Sequence, residues 1–111
     1  MKKESITLNI TKSFEGSETI VKIEGRFDNT TAPQAEEFLN EVVGTCDKLL
    51  LDCSDLTYIS SSGLRVLVSV NAAVDDNGGV FRLVNVNDIV METFVITGFT
   101  EVLDIEKQVL L

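Results

Sequence analysis

At 111 residues, with 44% hydrophobic residues and a single proline, the chain has the size and apolar content of one domain, read here as spanning residues 1–111, with no Pro-rich linker. A formal net charge of -9 argues against nucleic acid as a partner, because its phosphates would be repelled, and disfavours an anionic membrane surface for the same reason. The chain has no histidine, which removes the commonest general base and most zinc chemistry, so no catalytic, metal or cofactor residue is expected.

The N-terminal Met-Lys-Lys-Glu leads into a strand pattern rather than the apolar core of a signal peptide, and no run approaches the roughly 18 apolar residues of a membrane span. A cytoplasmic protein is expected. Cys46 and Cys53 lack C-x-x-C spacing and read as free thiols in or near the core.

Ile6, Leu8 and Ile10 alternate with Ser5, Thr7, Asn9 and Thr11, the period of a half-buried strand. Glu15-Gly-Ser-Glu18 reads as a hairpin turn, after which Val21, Ile23, Gly25 and Phe27 continue the alternation, so the two strands form an antiparallel pair. Thr31-Ala-Pro-Gln34 fits a capping box with Pro33 in the first helical turn. Ala35, Phe38, Leu39, Val42 and Val43 then form one apolar stripe, and Gly44 stands where the helix stops.

Lys48-Leu-Leu-Leu-Asp-Cys53 is a short apolar run, expected as a central strand buried on both faces and ending near Asp52 to Asp55. After Tyr58 and Ile59 come Ser60, Ser61, Ser62 and Gly63, then a helix to Asp76 with two adjoining stripes. Leu64, Leu67 and Val68 make one; Val66, Val70 and Ala73 make the other, read as packing against neighbouring helices or, near Leu64, as partner surface. Asn77-Gly-Gly79 ends that helix and residues 80–84 form a further strand. Asn87 and Asp88 open a last helix through Val90 and Phe94 that Gly98 closes, and residues 102–105 read as a short edge strand. Strand–helix–strand units with apolar strands call for parallel pairing through right-handed crossovers. The expected fold is therefore α/β: a mixed sheet of four to five strands in the element order β-β-α-β-α-β-α, with helices packed on it.

The candidate site is the serine run between the central strand and the following helix. Sites in open α/β sheets gather at the carboxyl ends of strands, and a hydroxyl there is exposed at a helix start. On physical grounds alone, serines in that position are most often helix caps.

Leu50-Leu-Asp-Cys-Ser-Asp-Leu-Thr-Tyr-Ile-Ser-Ser-Ser-Gly-Leu64 resembles the central signature of STAS domains of the anti-sigma factor antagonist type. Gly25-Arg-Phe-Asp-Asn-Thr-Thr-Ala32 resembles that family's earlier segment, and Phe94-Val-Ile-Thr-Gly-Phe99 its later helix end. The three occur in family order across essentially the whole chain. The resemblance implies a binding module that sequesters an anti-sigma serine kinase, freeing a sigma factor, until the kinase phosphorylates it. The acceptor it implies is Ser61, with Ser62 and Ser60 as alternatives; Ser60 replaces the aspartate usual in the family. The implied partner surface comprises Asp28, Asn29, Thr30, Ser60, Ser62, Gly63 and Leu64. Asp28 reads equally as a loop aspartate capping the next helix. A resetting phosphatase is a further expected partner, and a monomer is the expected state.

Within the same family the alternative is a regulatory subunit of another assembly, a stress-signalling complex or a transporter. A phosphoacceptor receiver using Asp52 would need an acidic pair after the first strand, where this chain has Asn9 and Thr11. A serine hydrolase would need G-x-S-x-G and a histidine. No P-loop or G-x-G-x-x-G occurs.

Overall fold

A computed structural model describes residues 8–108. Its elements are β1 (Asn9–Glu15), β2 (Glu18–Phe27), α1 (Ala32–Val43), β3 (Lys48–Ile59), α2 (Ser61–Asp76), β4 (Val80–Val86), α3 (Asp88–Thr97), a 3-10 turn (Phe99–Glu101) and β5 (Ile105–Lys107). The strands form one sheet in the order β1-β2-β3-β4-β5, the first pair antiparallel and the other three parallel, so the mixed α/β sheet and its element order are as expected.

The hairpin turn is Gly16-Ser17, with Glu15 opposite Glu18 and Gly16 at φ 65°, the positive φ that two-residue hairpin loops require. Leu8 is buried and Ile10 half-buried, while Ile6 lies outside the described residues. Val21, Ile23 and Phe27 of β2 point into the core, as their alternation predicts.

Helix α1 buries Ala35, Leu39, Val42 and Val43 from the expected stripe, Phe38 being half-buried, and packs against α2. The expected capping box is not formed. Thr31 is almost completely buried, and its hydroxyl donates to the Arg26 carbonyl at 2.7 Å while accepting from the Asp28 N–H at 2.9 Å. The Gln34 amide reaches away to the Leu8 carbonyl at 2.7 Å. Both polar side chains thus tie the helix start to the end of β2 and to Leu8 just ahead of β1, supplying donors to part-buried carbonyls.

Two expectations for the central strand are corrected. It runs on to Ile59 instead of ending near Asp52 to Asp55, and it is not buried on both faces: Leu49, Leu51 and Cys53 are buried, whereas Leu50, Asp52 and Ser54 are half-exposed. Thr19, Val21, Phe81 and Leu83 share the buried face in register, and α2 packs on it. Burial, and after it the neighbouring Asp52 carboxylate, push the Cys53 thiol's pKa up; Cys46 is half-buried, and both thiols are free.

The second stripe of α2 is interior, with Val66 and Val70 buried and Ala73 half-buried, and Leu64, only 4% exposed, leaves no apolar remnant at the helix start. Val68 is half-buried and Val74 joins the core instead. The Asn87 side chain caps α3 by accepting from the Val90 N–H at 3.0 Å, and Gly98 closes that helix at φ 80°. The edge strand begins at Ile105, not Val102, because residues 99–101 form the 3-10 turn and the Val102 and Leu103 N–H groups both donate back to the Phe99 carbonyl, at 3.1 and 2.9 Å. No helix among the described residues is long and apolar enough to cross a membrane.

Candidate functional site

Strands β2, β3 and β4 are parallel, so their carboxyl ends and following loops share one edge of the sheet. The β2 and β3 ends are joined by the Ser60 N–H, which donates to the Phe27 carbonyl at 2.9 Å. The third loop is tied in by the Asn87 amide, which donates to the Leu56 carbonyl at 2.8 Å. Helix α2 starts so close to the end of β2 that a Cβ on Gly63 would lie 2.8 Å from Ile59 Cγ1 and 2.9 Å from the Phe27 carbonyl oxygen. Glycine is required there for the approach of the two backbones.

The loop after β2 is organised by Asp28. Its carboxylate accepts from the Thr30 N–H at 3.0 Å and the Thr31 N–H at 3.2 Å, and its carbonyl accepts from the Ala32 N–H at 2.8 Å. Desolvation, the largest single influence, pushes the Asp28 carboxyl up. The N–H groups of Thr31 and Thr30 together with Arg26 outweigh it, and the group titrates below the usual carboxylate range. Arg26 lies 3.5 Å from Asp28 and stacks 4.1 Å from the centroid of the half-exposed Tyr58 ring. The Asp28 carboxylate therefore closes its own loop ahead of α1 and does not cap that helix, whose N-cap position is Thr31. Asn29 and Thr30, beside it, are exposed.

The three serines have different occupations. Ser60 is the N-cap of α2, its hydroxyl accepting from the Gly63 N–H at 3.4 Å. Ser62 donates its hydroxyl to the Asn29 side-chain carbonyl at 2.5 Å, linking the two loops. Ser61 is exposed, and its hydroxyl has no hydrogen-bond partner among the described residues. Gly63 and Leu64 are buried and shape the site from below. Beside Ser62 a groove of about 320 Å³ runs between α1 and α2, lined by Asn29, Pro33, Glu36, Arg65 and Ser69 among others.

Sequence reasoning brought Asp28, Asn29, Thr30 and the serine run to one place, and the fold juxtaposes them. It gave no site role to Arg26, Tyr58, Arg65 or Asn87, the last of which it read only as a helix start. Arg26 and Tyr58 become cross-strand partners only once the irregular register of β2 and β3 is known. Arg65 was legible as the residue one helical turn after Ser61.

An open mixed sheet with a capped serine turn at its carboxyl edge defines a small α/β module with one exposed hydroxyl in that turn, that of Ser61. The chain belongs to the STAS domain family, whose model matches residues 6–109. It is 28% identical over 103 residues to the anti-sigma-B factor antagonist of Bacillus subtilis strain 168, covering 93% of this chain and 94% of that protein. The anti-sigma-B factor antagonist of Staphylococcus aureus NCTC 8325 is 27% identical over 104 residues, covering 92% and 95%. The crystal structure of an anti-sigma factor antagonist from Mycobacterium paratuberculosis shares the fold, with a TM-score of 0.81 at 21% identity over 89% of this chain and 85% of that one.

Proposed function

We propose that this STAS domain is a cytoplasmic anti-sigma factor antagonist, a non-enzymatic binding module that sequesters an anti-sigma serine kinase and is released from it by phosphorylation at Ser61. One observation carries the choice of residue. Of the three serines, Ser60 is committed as a cap and Ser62 to Asn29, which leaves the Ser61 hydroxyl exposed and unengaged among the described residues. The likeness to anti-sigma-B factor antagonists along almost the whole chain supports the class of partner.

In this reading the kinase docks on the loop edge over Asn29, Thr30, Ser60 and Ser62. Asp28 holds the first loop in shape, while Gly63 and Leu64 set the height of the serine turn. Phosphorylation adds about -1.5 to -2 charges at neutral pH. Facing a partner carboxylate at about 4 Å with an effective dielectric near 20, each unit of charge costs about 4 kcal/mol, enough to weaken a complex by roughly a thousandfold. A phosphatase would restore the binding form.

The test is phosphosite mapping by mass spectrometry after incubation with the cognate kinase and Mg·ATP. Modification of the wild type and of Ser62→Ala, but not of Ser61→Ala, is expected. A phosphate that persists on Ser61→Ala would reject the assignment.

A further inference from the structure

We propose that Arg65 receives the phosphate placed on Ser61, so that modification both adds a dianion to the docking surface and withdraws a cation from it. This rests on the reading of Ser61 as acceptor and goes beyond it by naming the residue that answers the modification. Arg65 follows Ser61 by four positions in α2, where side chains share a face with their Cβ atoms about 5–6 Å apart. Long side chains in a helix lie back over the turn that precedes them, which directs the guanidinium toward position 61.

The second observation is electrostatic. In a chain with 18 acidic and 9 basic residues, nearly every cation is expected to find a carboxylate. Lys22, Arg26, Lys48, Arg82 and Lys107 each lie within 3.6 Å of one. Lys12 lies over the Phe14 ring. Arg65, although exposed, makes neither kind of contact among the described residues. The carboxylate that shares its groove does not claim it: Glu36, across from it on α1, forms no ion pair with it among the described residues. A guanidinium binds phosphate oxygens in a bidentate fork, which an ammonium does not reproduce.

The experiment uses the full chain with phosphoserine installed at position 61 during translation, so that no kinase is involved. The phosphorus NMR shift is followed from pH 4 to 9 at low salt in wild type, Arg65→Ala, Arg65→Lys and the distant control Lys12→Ala. The second phosphate pKa is expected to rise by roughly 0.15–0.4 unit in Arg65→Ala, the size of an exposed i,i+4 pair for the one charge that the second ionisation adds. Arg65→Lys should fall between, and Lys12→Ala should titrate like wild type. An Arg65→Ala protein that titrates like wild type overturns the proposal, as does an equal shift in Lys12→Ala, which would reflect net charge alone. Kinase mapping that missed Ser61 would sink the proposed function without touching this result, so the two can fail separately.

Discussion

Gly63→Ala probes the contact that sets the height of the serine turn. A Cβ there would meet Ile59 Cγ1 at 2.8 Å, the Phe27 carbonyl oxygen at 2.9 Å and Phe27 Cδ1 at 3.1 Å. Unstrained carbon contacts lie near 3.5–4.0 Å, so either α2 must lift off the end of β2 or the buried Phe27 must shift. Overpacking of this kind costs about 1–3 kcal/mol. Alanine's better helix propensity returns about 1 kcal/mol at most, and less in a first turn. The net expectation is a loss of about 1–2 kcal/mol, read as a lower urea midpoint with an unchanged slope and a melting temperature lower by roughly 5–10 °C. The amide resonances of Asn29 and Ser62 should move as well, since their hydrogen bond spans the same gap. A Gly63→Ala protein as stable as wild type would refute the idea that backbone approach, and not helix chemistry, explains this glycine.

Thr31→Val keeps the shape of a buried side chain but strands the Arg26 carbonyl and the Asp28 N–H, and should cost about 1–3 kcal/mol in urea unfolding. Asp28→Asn tests the lowered carboxyl. Its folded-state pKa lies below the unfolded value, so the charge stabilises the fold above about pH 4, and that contribution is lost as pH falls through the folded-state value. The variant should therefore be less stable than wild type at pH 7, with the gap closing in acid; a gap independent of pH would contradict the assignment. With an aromatic disulfide reagent, Cys46 should react in the native state and Cys53 only on unfolding, because Cys53 is buried and its thiol is held protonated. Prompt reaction of both thiols would show that the core around Cys53 opens readily.

Element types and order were legible because the hairpin, the helix stripes and the strand–helix–strand pattern each follow one period. The length of β3 was not. Between Lys22 and Glu24 on β2 the partner strand advances from Asp52 to Asp55, and between Gly25 and Arg26 it advances from Leu56 to Tyr58, so β3 carries two extra residues. Its buried positions consequently run Leu49, Leu51, Cys53, then Leu56 and Ile59, and the alternation that marks a strand dissolves at Ser54. The first of these slips is held by Asp52, which accepts from the Ser54 N–H at 3.0 Å. Gly25 sits at φ 109° beside the second.

The Thr31 cap misled for a related reason. The residue types of a capping box were present, but both side chains donate to carbonyls outside the helix, those of Arg26 and Leu8, instead of accepting from the local N–H groups of the helix start. The site itself was legible as a serine run at a strand-to-helix junction. Which serine stands unengaged depended on Asn29 meeting Ser62 across 33 positions of sequence, and no local pattern carries that.

A direct binding titration puts the switch to its sharpest test: the cognate anti-sigma serine kinase added to this domain with position 61 either unmodified or carrying phosphoserine. Tight association of the unmodified form and a loss of about a thousandfold or more on phosphorylation is the predicted result. Equal affinity for the two forms would contradict the account.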